Sequence, residues 1–126
     1  MGQQQLLLII LVTIIVGLAT VVAINTMQSA YDSANYDAIQ QDILQAHAAS
    51  MGYLQKPRMM GGGGGSYTGI SLEAISLPEE NDNGTYELGE VTANSFEIIG
   101  TSANNTFVLT ATIEGDEIAW SETVPE

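Results

Sequence analysis

Leu6 to Ile24 reads LLLIILVTIIVGLATVVAI. These nineteen residues carry no charge, and their only polar side chains are Thr13 and Thr20. As a helix rising ~1.5 Å per residue, the run is ~28 Å long, close to the ~30 Å hydrocarbon thickness of a bilayer. Its many Ile, Val and Thr residues would suit a strand in water. Length without a turn signal outweighs that preference, because in an apolar medium a helix satisfies its own backbone groups. The run predicts an apolar helix, and the remainder of the chain reads as what that helix carries.

The residues before the run, Met1-Gly2-Gln3-Gln4-Gln5, include no Lys or Arg. A secretory signal has a basic start and a shorter apolar stretch, so a retained anchor is expected here despite the cleavage-like Val21-Val22-Ala23. Leu6 stands where a myristoylation motif needs Ser or Thr. Gly17 with Thr20 is a weak form of the small-residue pattern at which apolar helices pack closely.

Asn25 does not end the helix. From Thr26 to Gln55 there is no proline. Apolar or small residues recur there at spacings of three and four: Met27, Ala30, Tyr31, Ala34 and Ala38, then Ile39, Ile43 and Ala46, and alongside them Leu44, Ala48, Met51 and Leu54. That spacing predicts an amphipathic helix. Asp32, Asp37 and Asp42 lie five apart and spiral around it. Pro57 stops it, with Lys56 and Arg58 at the end where cations suit the helix dipole. One helix from about Gln3 to about Lys56 would be about 80 Å long, more than a head of about sixty residues can cover. His47, the lone histidine, has no carboxylate at i−4 or i+4 and no cysteine to join it, so it carries no metal or catalytic expectation.

Gly61 to Gly65 are five consecutive glycines. They read as a flexible linker that lets the chain reverse onto the helix. No Gly-Lys-Ser/Thr follows and no strand precedes, so a phosphate loop is excluded. Beyond them, Tyr67–Leu77, Thr85–Val91, Ser95–Gly100, Thr106–Glu114 and Glu117–Val124 read as short strands separated by turns, with Asn83-Gly84 a strong hairpin signal. In Thr106–Glu114, Phe107, Leu109, Ala111 and Ile113 fall on one face. Phe107 and Trp120 are the expected core anchors. The expected fold class is α+β. One long N-terminal helix has an apolar first half and an amphipathic second half, and a small antiparallel sheet packs on the second half. The segments are 1–24, the apolar half-helix; 25–57, the amphipathic half; 58–66, the linker; and 67–126, the β head.

Charge sharpens this division. Fifteen carboxylates face only Lys56 and Arg58, and the formal net charge is −13. Twelve of the carboxylates lie after Arg58. A head that acidic repels nucleic acid and anionic lipid head groups, so no nucleic-acid partner is expected. The absence of cysteine excludes disulfides, thiolate metal sites and a C-x-x-C-H haem attachment. Glu80 and Asp82, beside Asn83 and Gly84, are weak metal candidates. They resemble part of a Ca²⁺ loop without EF-hand spacing. Asn83-Gly84-Thr85 and Asn104-Asn105-Thr106 are sequons, which makes Asn83 and Asn104 candidate glycosylation sites. No nucleophile-base pair or motif-placed carboxylate pair occurs, so no enzyme activity and no cofactor are expected.

The order of apolar half-helix, amphipathic half-helix, connecting loop and small antiparallel sheet resembles type IV pilins and pseudopilins. In residue terms, MGQQQLLLIILVTIIVGLA and NYDAIQQDILQAHAASMGYLQKPRMMGGGGGSYTG look like small pilin-like proteins of the Bacteroidota and Rhodothermota type. The Gly-rich turn after the Lys/Arg-Pro stop is the most specific part. The resemblance implies a subunit that sits in the inner membrane and is drawn by pilus assembly machinery into a homopolymeric surface filament. Its core would be bundled apolar helices, here Leu6, Leu7, Leu8, Ile9, Ile10, Leu11, Ile14, Ile15, Gly17, Leu18, Val21, Val22 and Ile24. Gly2 is then the candidate processing site. Counted from Gln3, the position at which the family carries a register-setting Glu holds Leu7. Two other expectations share this pattern: a single-span membrane protein displaying an acidic β binding domain, and a minor pseudopilin of a secretion or uptake machine.

Overall fold

The computed structural model describes residues 2–125. One α-helix, α1, runs Gly2–Gln55 and is followed by a short 3-10 turn at Arg58–Met60. Five strands follow: β1 (Glu80–Asn81), β2 (Gly84–Val91), β3 (Phe96–Ser102), β4 (Val108–Glu114) and β5 (Glu117–Thr123). They form one antiparallel sheet in the order β1-β2-β3-β4-β5, a meander of sequence neighbours. The chain is therefore α+β, as its patterning predicts.

Two compact units result, residues 2–34 and 35–125. In the first, no described residue is buried. In the second, α1 contributes Asn35, Ile39, Ile43, Ala46 and Ser50 as one buried stripe, at the three- and four-residue spacing of a helix face. The apolar run ends at Ile24, but the head's packing starts only at Asn35. Met27 and Tyr31, which continue the helical spacing, remain exposed.

Strict alternation places the sheet. β3 has Phe96, Ile98, Gly100 and Ser102 buried, with half-buried residues between them. β4 turns Leu109, Ala111 and Ile113 inward. These pack with Ile39 and Ile43 of α1, and Tyr86, Phe107 and Tyr67 complete the core. The Tyr67 and Phe96 rings meet at 4.9 Å and those of Tyr36 and Phe107 at 5.5 Å, both tilted. Such pairs add roughly 0.5–1.5 kcal/mol beyond area burial. Gly100 has no Cβ because Ile39 Cγ2 lies 2.9 Å from where one would sit.

Four expectations need correction. Tyr67–Leu77 is not a strand. Gly69 adopts φ +86° and Ser76 φ +57°, and the segment closes on itself through Ile70 N–H to Tyr67 O and Leu77 N–H to Leu72 O. Four of its apolar residues, Tyr67, Ile70, Ile75 and Leu77, are buried, while Leu72 is half-buried and Ala74 exposed. Their uneven spacing fits a coil laid over the core and not a pleat of period two. The first hairpin turns at Asp82-Asn83, one residue before the Asn-Gly signal, because Asn81 pairs with Gly84. The side chain of Asn81 explains the shift: its Oδ1 accepts from both Asn83 N–H (2.8 Å) and Gly84 N–H (3.2 Å). Trp120 is no central anchor. It lies half-buried on edge strand β5 opposite Ala111, whereas Phe107 is in the core.

The fourth correction concerns the glycines, which form a fixed capping loop where a flexible linker is expected. Gly63 N–H donates to Tyr53 O (2.8 Å), Gly65 N–H to Leu54 O (2.7 Å) and Gly64 N–H to Lys56 O (2.9 Å). Carbonyls at the end of α1 that lack a helical partner are satisfied this way. A Cβ on Gly63 would sit 1.9 Å from Ser66 O, whereas one on Gly61 would meet nothing. Gly63→Ala should therefore destabilise the head by about 1–3 kcal/mol, and Gly61→Ala, strained only by its φ of +87°, by about 1 kcal/mol. Chemical denaturation of the full chain in detergent reads both. Equal tolerance of the two would mean an unstructured linker.

Candidate functional site

The first candidate surface is the apolar run itself. Its large side chains from Leu6 to Ile24 are all between 51% and 65% exposed. Gly17 lies in open space. The polar groups of the run are spent within the helix: Thr13 Oγ1 donates to Ile9 O (2.7 Å) and Thr20 Oγ1 to Val16 O (2.8 Å). Thr26 does the same to Val22 O (2.9 Å). The side-chain donors of the run are thus all engaged within the helix. By length and composition, α1 is the one described helix that could cross a membrane.

The second site was not legible in the sequence. Asp42, one of three aspartates spiralling around the helix, accepts on one carboxylate oxygen from three partners. These are Asn81 Nδ2 (3.0 Å), Asn83 Nδ2 (2.9 Å) and the Tyr86 hydroxyl. Asn35, about two helical turns before it, donates through Nδ2 to Asn83 O (2.7 Å), which also accepts from Ala103 N–H (3.1 Å). The hairpin tip between β1 and β2 is thereby clamped to α1. Asn35 Oδ1 is buried without a hydrogen-bond partner, which makes Asn35 the least satisfied member of the cluster. The one available signal was the Asn-Asp-Asn run ahead of Tyr86, and no spacing rule ties it to a residue about forty positions earlier.

Burial pushes the Asp42 carboxyl up, but the three hydrogen bonds from Tyr86, Asn83 and Asn81 outweigh it and hold its pKa below the ordinary value of 3.8. Burial and the neighbouring Asp42 carboxylate raise the Tyr86 phenol well above its ordinary 10.0. A carboxyl lowered on folding stabilises the fold above its unfolded pKa and ceases to as pH falls through its folded value. A phenol raised on folding stabilises below its unfolded pKa and ceases to as pH rises through its folded value. Head stability should therefore be lost from this cluster below about pH 4 and again above about pH 10. Urea titrations across pH check this. Asp42→Asn should flatten the acid limb, and an unchanged limb would place the acid sensitivity elsewhere.

The other sequence candidates fall as follows. Glu80 and Asp82 are both exposed, Glu80 in β1 and Asp82 at the hairpin tip. Among the described residues no group of three His, Asp or Glu could hold a metal ion. Asn83 is half-buried, and the Nδ2 that a glycan would occupy donates to Asp42. Asn104 is exposed in the β3–β4 loop, where its Oδ1 accepts from Thr106 Oγ1 (2.9 Å). His47 is structural: its Nε2–H donates to Gly115 O (2.9 Å), while Gly115 N–H donates to Tyr67 Oη (3.1 Å), so the β4–β5 turn is held from both sides. Gly2, the candidate processing site, is exposed in the first turn of α1.

Compared with protein-family models, curated proteins and solved structures, the chain matches none.

Proposed function

We propose that this protein is a structural subunit of a pilus-like filament, held in a membrane before assembly and polymerised through its apolar helix. The observation that carries the reading is the unburied run Leu6–Ile24 on a chain whose folded head begins only at Asn35. At ~25 cal/mol per Å² of apolar surface, keeping fourteen large apolar side chains half in water costs on the order of 10–20 kcal/mol. Lipid or the same helices of other copies removes that cost. The acidic head, with only Lys56 and Arg58 against its carboxylates, stays in water.

Electron microscopy of material sheared from cells, with intact mass of the subunit, tests this. Thin filaments built of this chain support it. A mass beginning at Gln3 places cleavage after Gly2, and excess mass reports glycan. Protein recovered only in membranes, with no filament, overturns polymerisation and leaves a single-span protein displaying an acidic β head.

A further inference from the structure

Asn83-Gly84 is the one Asn-Gly pair in the chain. It is the dipeptide most prone to self-modification, because an unbranched glycine leaves its backbone nitrogen free to reach the preceding side chain. Both residues are costly to replace in this fold. A Cβ on Gly84 would lie 2.0 Å from Thr101 O, where the β2–β3 pairing begins with Gly84 opposite Ser102. Asn83 supplies one of the three hydrogen bonds on Asp42. The fold therefore has to keep a reactive pair, and it also holds that pair still. Asn83 Nδ2 is engaged by Asp42, Gly84 N–H is engaged by Asn81 Oδ1, and Asn83 O is engaged by Asn35 and Ala103.

We propose that Asn83 is a deamidation site kept shut by the Asp42 cluster, and that its conversion is an irreversible release of the hairpin tip from the helix. When the tip opens, Gly84 N loses its proton and bonds to Asn83 Cγ. The Asn83 Cγ–Nδ2 bond breaks and the nitrogen departs as ammonia with that proton, leaving a five-membered cyclic imide. Water then adds to either imide carbonyl and opens the ring to aspartate or isoaspartate. The net change is water in and ammonia out, with no oxidant or reductant. The product cannot re-enter the cluster. A carboxylate at position 83 has no N–H for Asp42 and sets a second negative charge against it, and like charges at that distance repel. Isoaspartate also adds a carbon to the main chain between the paired residues Asn81 and Gly84, which breaks their register. Modification is thus coupled to opening: the closed head is protected, and each opening risks permanent loss of the clamp.

The test is peptide mapping of the full chain in detergent during neutral incubation, reading aspartate and isoaspartate at position 83. Asn104 and Asn94, which have no glycine after them, serve as internal references. Native protein should convert at Asn83 at least about tenfold more slowly than the same chain in urea, because conversion waits for opening. Asp42→Asn, confirmed folded by circular dichroism, should convert at least about tenfold faster than wild type, the expected result of losing charge-assisted bonds at the tip. Should Asp42→Asn fail to fold, Tyr86→Phe, which removes one bond to Asp42, takes its place and should also accelerate conversion. Asn83→Asp, the product made directly, should fold with a lower midpoint than wild type. Equal rates in the native and urea-unfolded chain, or a folded cluster variant that converts at the wild-type rate, overturn the proposal.

Discussion

Leu11→Asp should abolish filaments while leaving the head folded. Leu11 lies well inside the apolar run and is 53% exposed. A carboxylate near the centre of such a helix costs roughly 2.5–3.5 kcal/mol for insertion into a bilayer. Every copy in a polymer would bring the same charge to the same layer, so the penalty repeats and like charges add to it. The core of the head draws on residues from Ile39 onward, so the substitution leaves it intact. Cells carrying Leu11→Asp should yield no sheared filament. The purified chain should keep the wild-type Trp120 emission and denaturation midpoint. Normal filaments from this variant would sink polymerisation through the apolar helix. A lost head would mean that the run also supports folding.

The largest effect on stability is expected at Phe96. Its side chain is fully buried, meets the Tyr67 ring at a tilt, and begins β3 opposite Ile113. Phe96→Ala removes the burial, the ring pair and the filling of a closed interior, so about 3–5 kcal/mol should be lost. Small domains have only about 5–15 kcal/mol in all, so the variant should sit near its midpoint at ordinary temperature. Thermal unfolding of the full chain in detergent reads this. A shift of only a few degrees would show that the sheet repacks around the gap. The head's loss need not abolish membrane insertion, since residues 2–34 share none of this core. The two variants should therefore separate cleanly, one losing assembly with an intact head and the other losing the head with an intact anchor.

These two variants also mark where the sequence was informative and where it was not. An uninterrupted apolar run without proline determines a helix, because no other local arrangement satisfies its backbone away from water. Alternation in 96–102 and 108–114 determines strands and their inner faces, because the side-chain period of a strand is two. Both signals are local and cumulative, and both survive in the fold. The tertiary structure decided what depends on distant partners. Tyr67–Leu77 has strand-like composition, but its apolar residues reach the core only if the chain turns at Gly69 and Ser76. The five glycines look flexible by composition, yet free carbonyls at the end of α1 give their N–H groups partners and hold them. Asp42 was one unremarkable charge among three until the hairpin brought Asn81, Asn83 and Tyr86 onto it. A hydrogen bond between residues forty positions apart leaves no periodic trace, because a single directed contact has no repeat to read, whereas burial of a whole face does.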